Sequence, residues 1–422
     1  MTMTLGQMGN SVVVADIICK EALVLLKNNL VFAPLVFRGY ESEIGNGHGD
    51  TITIKKPFRT KTASGRVLVK QPLVDQTLTF KPQFREHFAC SVSDEDLTLT
   101  LNQYSERYLK SGIIGIANVI DKSIADTIKV GSFFTYGTPG TAPTIDTFHD
   151  ASAVMDDLAI PNDGMRVVVL NSADGSNVSK AVYGKYNEDM VKTAITKGYL
   201  GPIADFSLYK STNTSPMTVG LQGGTPLING ASQTGTSLIS DGWTGSVKVL
   251  NAGDVIALAG VYEINPQNYG STGRQQGFVV TSDVYSDSSG NAVIPILPAI
   301  NNGTLSTTDT EGNTVSLAAY QNVSAAPADN AAITISGTSG GIYRQNLFFH
   351  KHACAFAMVP IDIPKSFVVK SRVTDPLSGL SLGMCSAADI NNMDETTRID
   401  AKWGVKMIYP ELALRNYSSK LN

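Results

Sequence analysis

The spacing of apolar residues predicts one long helix in the first third of the chain. Ser93 and the acidic residues 94–96 have the composition of a helix N-cap and first turn, where carboxylates face the positive end of the helix dipole. Apolar residues then recur at helical spacing: Leu97, Leu101, Tyr104, Tyr108, Ile113, Ile116, Ile120, Ile124 and Ile128. The pattern predicts a helix over residues 94–129, about 54 Å long at ~1.5 Å per residue, which would act as a rigid strut.

A second helical pattern lies near the N-terminus. Residues 11–26 are rich in apolar side chains, but Asp16, Lys20 and Glu21 interrupt them. A membrane span needs ~20 nearly uncharged residues, so we interpret this segment as an amphipathic helix. We assign residues 1–49 to an N-terminal arm that carries it.

Between the two helices, alternating apolar and polar residues predict a long hairpin over residues 50–87. This segment contains three acidic residues and eight basic ones: Lys55, Lys56, Arg59, Lys61, Arg66, Lys70, Lys81 and Arg85. A two-stranded ribbon with so little apolar surface is marginal on its own in water. We therefore expect this basic hairpin to lie on another surface, an acidic surface of a second copy being favoured.

The hydrophobic pattern and the charge balance of the chain change at about residue 223. Residues 146–222 have an α/β pattern, with helices predicted at 148–158 and 186–197 and a continuous apolar strand at 167–170. The following region, 223–345, has short strands at 247–250, 255–259, 278–281, 291–296 and 332–335, separated by turn residues. It carries eight acids against three bases, and we interpret it as a β-barrel or sandwich inserted into the α/β part.

Strand patterns return near the C-terminus, at residues 355–359 and 367–370. Residues 398–407 alternate strictly, with Ile399, Ala401, Trp403, Val405 and Met407 on one face. Such alternation is typical of a strand with one buried face.

Composition narrows the function classes. The net charge of -4 excludes a generally basic nucleic-acid binder. Charged residues make up only 17%, below the roughly 25% usual in soluble domains, which favours surfaces that are buried against partners. The first ten residues lack the pattern of a secretory signal, and the four cysteines have no paired spacing, so we expect a chain that folds in a reducing cytosol.

Few residues suggest catalysis or metal binding. His350, His352 and Cys354 alternate and would share one face of a strand, but a fourth ligand is not indicated, so a strand through a core or interface is favoured. Asp156 and Asp157 are interpreted as a solvated helix face. Neither a nucleophile elbow nor a phosphate-binding loop is present. We therefore predict no catalytic, cofactor or metal site and no enzymatic activity.

Several sequence motifs resemble a known family. These are GDVIALAGV at 253–261 followed by INPQ at 264–267, then QGFVV at 276–280, SDSSGNA at 286–292, and GLSL at 379–382. RID at 398–400, GVK at 404–406 and YPELA at 409–413 add to the pattern. Together they resemble the major capsid (coat) proteins of tailed double-stranded DNA bacteriophages, in the branch of the short-tailed enterobacterial phages.

The resemblance implies an α+β chain with the tailed-phage major capsid (Johnson) fold, which has an arm, an extended loop, a spine helix, axial and peripheral domains and an inserted all-β barrel. The implied boundaries are 1–49 for the arm, 50–87 for the extended loop, 88–145 for the spine helix and peripheral domain, 146–222 and 346–385 for the axial domain, 223–345 for a telokin-like barrel, and 386–422 for the closing strand of the peripheral domain.

The resemblance also implies partners. Copies would assemble through pentamers and hexamers into an icosahedral shell, with a scaffolding protein, a portal protein and loosely held double-stranded DNA, and no membrane. Assembly would occur in the host bacterial cytoplasm, and the product would be the virion capsid. Our candidates for contacts between subunits are Lys55, Lys56, Arg59, Lys61, Arg66, Lys70, Asp241 and Asp254. The alternatives are a secreted β-rich adhesin and, with less support, a hydrolase with an inserted β domain.

Overall fold

The computed structural model describes residues 6–41, 51–62, 65–66, 76–92, 109–182, 202–308, 314–364, 367, 369–375, 379–389 and 394–421. Its α-helices are α1 (Gly6–Asn29), α2 (Lys110–Gly131), α3 (Ile145–Asp157) and α4 (Ser172–Val182). Short 3-10 helices occupy Ala33–Leu35, Ala318–Tyr320, Lys351–Ala353 and Pro410–Leu412. Among the described residues, no helix is both long enough and apolar enough to cross a membrane.

Most of the described chain beyond α3 is β-structure. The strands before the predicted barrel are β1 (Ile52–Lys56), β2 (Gln76–Phe80), β3 (Phe84–Val92), β4 (Phe134–Thr135), β5 (Arg166–Asn171), β6 (Pro202–Ile203), β7 (Phe206–Ser211) and β8 (Met217–Thr218). Those of the predicted barrel are β9 (Gly224–Ile228), β10 (Gly235–Trp243), β11 (Lys248–Leu250), β12 (Val255–Ile264), β13 (Ser271–Val280), β14 (Val284–Tyr285), β15 (Ala292–Ile300), β16 (Ser306–Thr308), β17 (Thr314–Ser316) and β18 (Ile333–Ile335). The last are β19 (Ile342–His350), β20 (Cys354–Met358), β21 (Val369–Thr374), β22 (Ser381–Asp389), β23 (Asp394–Met407) and β24 (Ala413–Leu421).

Two compact units contain these elements. The first comprises Met1–Ile54, Leu78–Ile124 and Cys354–Lys406. Its sheet has the order β20-β23-β22-β21, with β3 also paired to β23, and α1 packs against β21 and β22. The predicted alternation of residues 398–407 is confirmed, since Ile399, Ala401 and Trp403 of β23 are fully buried. The Trp403 indole N–H donates to the Ser123 hydroxyl of α2 at 2.9 Å, which ties the strand to the helix.

The second unit comprises Lys55–Thr77, Ala125–Ala353 and Met407–Asn422. Its larger sheet has the order β4-β24-β19-β5-β7-β6, with β8 paired to β19. The predicted apolar strand is β5, and the predicted helix at 148–158 is α3. Phe148 of α3, Phe206 of β7 and Phe348 of β19 pack together in one buried core, where aromatic contacts add to the burial of apolar area.

The acidic region forms a nearly closed barrel, as predicted. Its main sheet has the order β18-β12-β13-β15-β10-β9, and a bridge between Leu227 of β9 and Ala332 beside β18 joins the two ends. Eighteen buried apolar residues, including Phe278 and Trp243, form a core of its own. The mixed α+β fold class is therefore confirmed.

Some sequence predictions concern residues that lie partly or wholly outside the described ranges. The helix predicted over 94–129 is confirmed from Lys110 onward and ends at Gly131, whereas residues 94–108 lie outside the described part. The helix predicted at 186–197 lies outside it as well. The N-terminal helix extends over Gly6–Asn29, which is longer than predicted.

The C-terminal strands belong to two different sheets. Of residues 346–385, only the end of β19 lies in the sheet of β5, whereas β20, β21 and β22 pair in the sheet of the first unit. The closing strand β24 pairs with β19 instead of with that sheet. The 3-10 turn at Lys351–Ala353 and the turn at Pro410–Leu412 redirect the chain between the sheets. The first turn also makes the expectation of one shared strand face wrong, because His350 ends β19, His352 lies in the turn and Cys354 begins β20.

Candidate interaction surface

The base of the basic hairpin makes several contacts within the second unit. We call residues 56–61 the loop root; it begins at Lys56, the last residue of β1. The Arg59 guanidinium pairs with the Glu411 carboxylate at 3.0 Å, and both side chains are a little over one-third exposed (38% and 35%). The Arg59 backbone N–H donates to the Tyr320 hydroxyl at 3.3 Å. One loop residue thus reaches both the barrel and the turn before β24.

Two lysines of the loop root lie over aromatic rings. The Lys61 ammonium is 4.4 Å from the ring centroid of Tyr269, and the Lys56 ammonium is 5.2 Å from that of Tyr409. Both distances are within the ~6 Å range of cation–π attraction. Burial lowers the pKa of Lys56, the Glu411 carboxylate raises it and the Arg59 charge lowers it. Positive charge at the root is therefore partly desolvated and held by specific partners.

Beneath the loop root lies a cavity of about 540 Å³. Its walls are mainly apolar and come from the root, the barrel and the segment around Tyr409, including Phe58, Phe133, Phe134, Leu158, Ile264, Leu297, Leu317 and Leu412. The ring of Phe58 remains 48% exposed. The root is thus held mainly by polar contacts at its rim and only partly by packing.

The acidic candidates have different environments. Asp241, on β10 of the barrel, is partly exposed and so remains available to a second molecule. Asp254, in contrast, is fully buried (0% exposed), and the structure removes it as a surface contact. Its carboxylate accepts backbone N–H groups of Gly220 at 3.0 Å and Asn251 at 2.8 Å, so it anchors the connections of the barrel. Burial raises the pKa of Asp254, and these hydrogen bonds and the Arg415 charge lower it.

Arg415 of β24 shares this buried region. Its guanidinium donates to the backbone carbonyl oxygens of Lys129, at 2.9 Å, and Gly253, and it lies 5.0 Å from the ring of Tyr417. Arg415 is itself fully buried, and burial lowers its pKa. This pair of opposite charges therefore joins the helix α2, the barrel and the closing strand.

The remaining basic candidates are exposed or lie outside the described residues. The side chains of Lys55 and Arg66 are exposed, whereas Lys70 lies outside the described part. Six acids of residues 223–345 were considered in the sequence only as part of that region's net charge. Of these, Asp283, Asp287 and Asp329 are exposed, and Asp283 pairs with Lys248 at 2.6 Å. Asp287 and Asp329 therefore join Asp241 as acids that a second molecule can reach.

The paired carboxylates on α3 are not simply a solvated face. Asp156 pairs with the buried guanidinium of Arg166 at 2.6 Å. Asp157 pairs with Arg274 at 3.0 Å, and Arg274 also binds Glu263 of β12. The pattern could not reveal this, because a charge run looks the same whether water or a distant arginine faces it. These pairs fasten the helix to its own strand and to the barrel.

His350 and His352 make specific contacts within the second unit. His350 Nε2 lies 3.0 Å from the Asp163 carboxylate, and this contact is the main cause that lowers the pKa of Asp163. The rings of His350 and His352 stack at 5.3 Å, and burial followed by the His350 charge lowers the pKa of His352. Within the described residues, no three His, Cys, Asp or Glu side chains are grouped to hold a metal ion.

Sequence reasoning missed the partners of the loop root. Tyr409 and Glu411 belong to a motif noted for its resemblance, but nothing in the motif assigned them to the loop. Tyr269 and Tyr320 gave no signal, since single tyrosines in turns are common. The pairing of Arg59 with Glu411, for example, joins segments 352 residues apart and becomes visible only in the folded chain.

Comparison with known proteins gives a match along nearly the whole chain. Residues 8–414 match the model of the family described as "P22 coat protein - gene protein 5". Comparison with curated proteins gives no match.

Among solved structures, a chain from Mycobacterium phage Che8 is similar at 14% identity, with 92% of this chain and 90% of that chain covered and a TM-score of 0.47. The capsid of Ralstonia phage GP4 is similar at 10% identity, with 92% and 88% covered and a TM-score of 0.44. The CUS-3 coat protein I-domain is similar at 23% identity, with 28% of this chain and 97% of that chain covered and a TM-score of 0.19. The family assignment depends on the match over residues 8–414 alone.

Proposed function

The chain belongs to the P22 coat protein family and is a structural major capsid protein of a tailed phage, and from this premise we propose how its copies assemble. Self-assembly builds the capsid shell of the virion. We propose that the subunits form pentamers and hexamers that close an icosahedral shell around double-stranded DNA. The role requires no catalytic site, and it accounts for a chain with few charged residues whose surfaces are covered by sister subunits.

The opposite charges of the loop and the barrel support a contact between copies. Residues 50–87 carry an excess of five positive charges, and residues 223–345 an excess of five negative charges. We propose that exposed loop cations, with Lys55 and Arg66 as the described candidates, approach the partly exposed Asp241 on the barrel of a neighbour. Lys56, Arg59, Lys61 and Lys70 remain candidates from the sequence. Charge complementarity of this kind sets approach and register more than affinity.

Other partners follow from the same role. We propose that a scaffolding protein guides closure, that a portal protein occupies one vertex and that the packaged DNA makes only loose, non-specific contact with the inner surface. Assembly would take place in the cytoplasm of the host bacterium. Many weak contacts between subunits would keep assembly reversible enough to correct errors, because avidity comes from their number.

Electron microscopy of the purified protein tests the proposal directly. We expect uniform closed particles tens of nanometres across, formed from the full-length chain alone or with a co-expressed scaffolding protein. Asp241→Asn should slow assembly and reduce its sensitivity to salt, whereas Asp362→Asn, at a 99% exposed position outside the barrel, serves as the control. A protein that stays monomeric at every concentration and with the scaffolding protein present would overturn the proposed assembly.

A further inference from the structure

We propose that the loop root, residues 56–61, docks on its own subunit and that Arg66, outside the root, meets a second copy. The docking itself is independent of capsid assembly; only the role of Arg66 rests on the proposed function. The basic hairpin then has a root that is held by its own subunit and a further part that contacts a neighbour.

Three separate segments of the same unit hold the root. Lys61 lies over Tyr269 between β12 and β13, the Arg59 backbone binds the Tyr320 hydroxyl, and Arg59 pairs with Glu411 before β24. Tyr269 is itself held in place, because its hydroxyl donates to the Ala319 carbonyl oxygen at 3.1 Å. Contacts to three separate segments together fix the orientation of a short loop, even when each contact is weak.

The cavity below the root limits the packing that holds the root in place. Lys56, Pro57, Phe58 and Arg59 border about 540 Å³ of open space, so the root has little packed apolar surface on its inner side. A gap of that kind forfeits dispersion contacts, and releasing the root breaks no close-packed core. The root therefore exchanges between a docked and a released position, with the docked one held by charge and cation–π attraction.

Docking the root benefits assembly in a definite way. A loop whose root is already fixed loses less conformational freedom when it meets a neighbour, and binding improves accordingly. Lys56, Arg59 and Lys61 then act on their own chain. Arg66 is exposed, so its charge can reach a second copy.

Trypsin provides a direct probe, because the loop contains its own cleavage sites. Cleavage after Arg59 and Lys61 requires release of the root, while cleavage after Arg66 serves as an internal reference on the same molecule. Proteolysis reports the population of the open form when opening and closing are fast. The measurement uses full-length subunits that have been separated from assembled particles by sedimentation, with the cut sites identified by mass spectrometry.

The double variant Tyr269→Leu with Glu411→Gln should raise cleavage after Arg59 and Lys61 about tenfold, equivalent to about 1.4 kcal/mol at 25 °C, and leave cleavage after Arg66 unchanged. Tyr269→Phe keeps the ring face under Lys61 but loses the hydrogen bond to the Ala319 carbonyl oxygen, so it should raise this cleavage much less than the double variant does. Asp362→Asn removes a surface ion pair with Arg372, 2.8 Å long and far along the chain, and should also have no effect on the loop. High salt should accelerate cleavage of the unmodified root through screening of the Arg59–Glu411 pair.

Two results would overturn the docking. One is cleavage after Arg59 and Lys61 as fast as after Arg66 in the unmodified protein. The other is the same slow rate in the double variant and at high salt, with circular dichroism showing that the variant is folded. Either result would leave shell formation untouched, whereas a protected root in a protein that forms no shells would count against the capsid assembly alone.

Discussion

Arg415 of the closing strand donates a hydrogen bond of 2.9 Å to the backbone carbonyl of Lys129, in the last turn of α2. The carbonyl groups in the last turn of a helix have no hydrogen-bond partner within the helix. A cation at this end is also stabilised by the negative end of the helix dipole. The same guanidinium binds the Gly253 carbonyl beside the buried Asp254. A single side chain therefore connects the helix end, the barrel and the strand that closes the larger sheet.

Replacing Arg415 by methionine should destabilise the free subunit strongly. The substitution keeps much of the apolar volume but leaves two buried carbonyls without a donor and Asp254 without its compensating charge. We expect a loss of about 3 kcal/mol in the free energy of unfolding, measured by urea denaturation. Arg372→Met, at a surface pair with Asp362, is the matched control and should change it by less than about 1 kcal/mol. Equal effects of the two substitutions would contradict the proposed connection.

The pH dependence of stability should report Asp254. Burial raises its pKa above the ordinary value of 3.8, so the folded state binds the proton more tightly than the unfolded state does. Its contribution to stability is then fully present below pH 3.8 and is lost as the pH rises through the raised folded-state pKa. Asp254→Asn does not titrate, so the wild type should gain stability relative to this variant as the pH falls across that interval. Urea denaturation of both proteins at a series of pH values measures the difference in their free energies of unfolding. If this difference does not vary with pH, the pKa of Asp254 is not raised.

The local sequence pattern predicted the helices and strands of this chain better than it predicted which residues they contact. The alternation in residues 398–407 identified β23, because a strand with one buried face must alternate whatever it pairs with. Asp254 was assigned to the surface, since a Gly-Asp pair in a turn has the same sequence whether water or a buried arginine faces it. The contact between Arg59 and Glu411 joins residues 352 positions apart, and such pairing depends on the path of the whole chain.

The four thiols should react at very different rates in the native subunit. Burial raises the pKa of Cys354 to about 12 and that of Cys19 to about 11, so neither forms the reactive thiolate near pH 8. Cys90 and Cys385 are partly exposed. Brief alkylation with iodoacetamide, followed by mass spectrometry, should label Cys90 and Cys385 first, and urea should make all four react. Early labelling of Cys354 in the native protein would contradict its buried position.

Two glycines in α2 should respond in opposite directions to the same substitution. A Cβ atom at Gly112 would lie 2.4 Å from ring atoms of Phe88, whereas a Cβ atom at Gly115 would meet nothing within 4 Å. Gly115→Ala should stabilise the free subunit by about 0.5–1 kcal/mol, because alanine loses less backbone entropy in a helix. Gly112→Ala should cost about 1–3 kcal/mol through overpacking. Thermal unfolding of the dispersed subunits measures both.

The cause of the Gly112 effect can be isolated with a second change. In the double variant Gly112→Ala with Phe88→Leu, the ring is replaced by a smaller side chain. This variant should recover part of the stability that Gly112→Ala alone loses, because the added methyl group and the Phe88 ring compete for the same space. Phe88→Leu alone is the reference for the lost ring contact. If the two substitutions were simply additive, the helix would not be packed against β3 at this point, and the loss at Gly112 would have to come from the backbone of α2 itself.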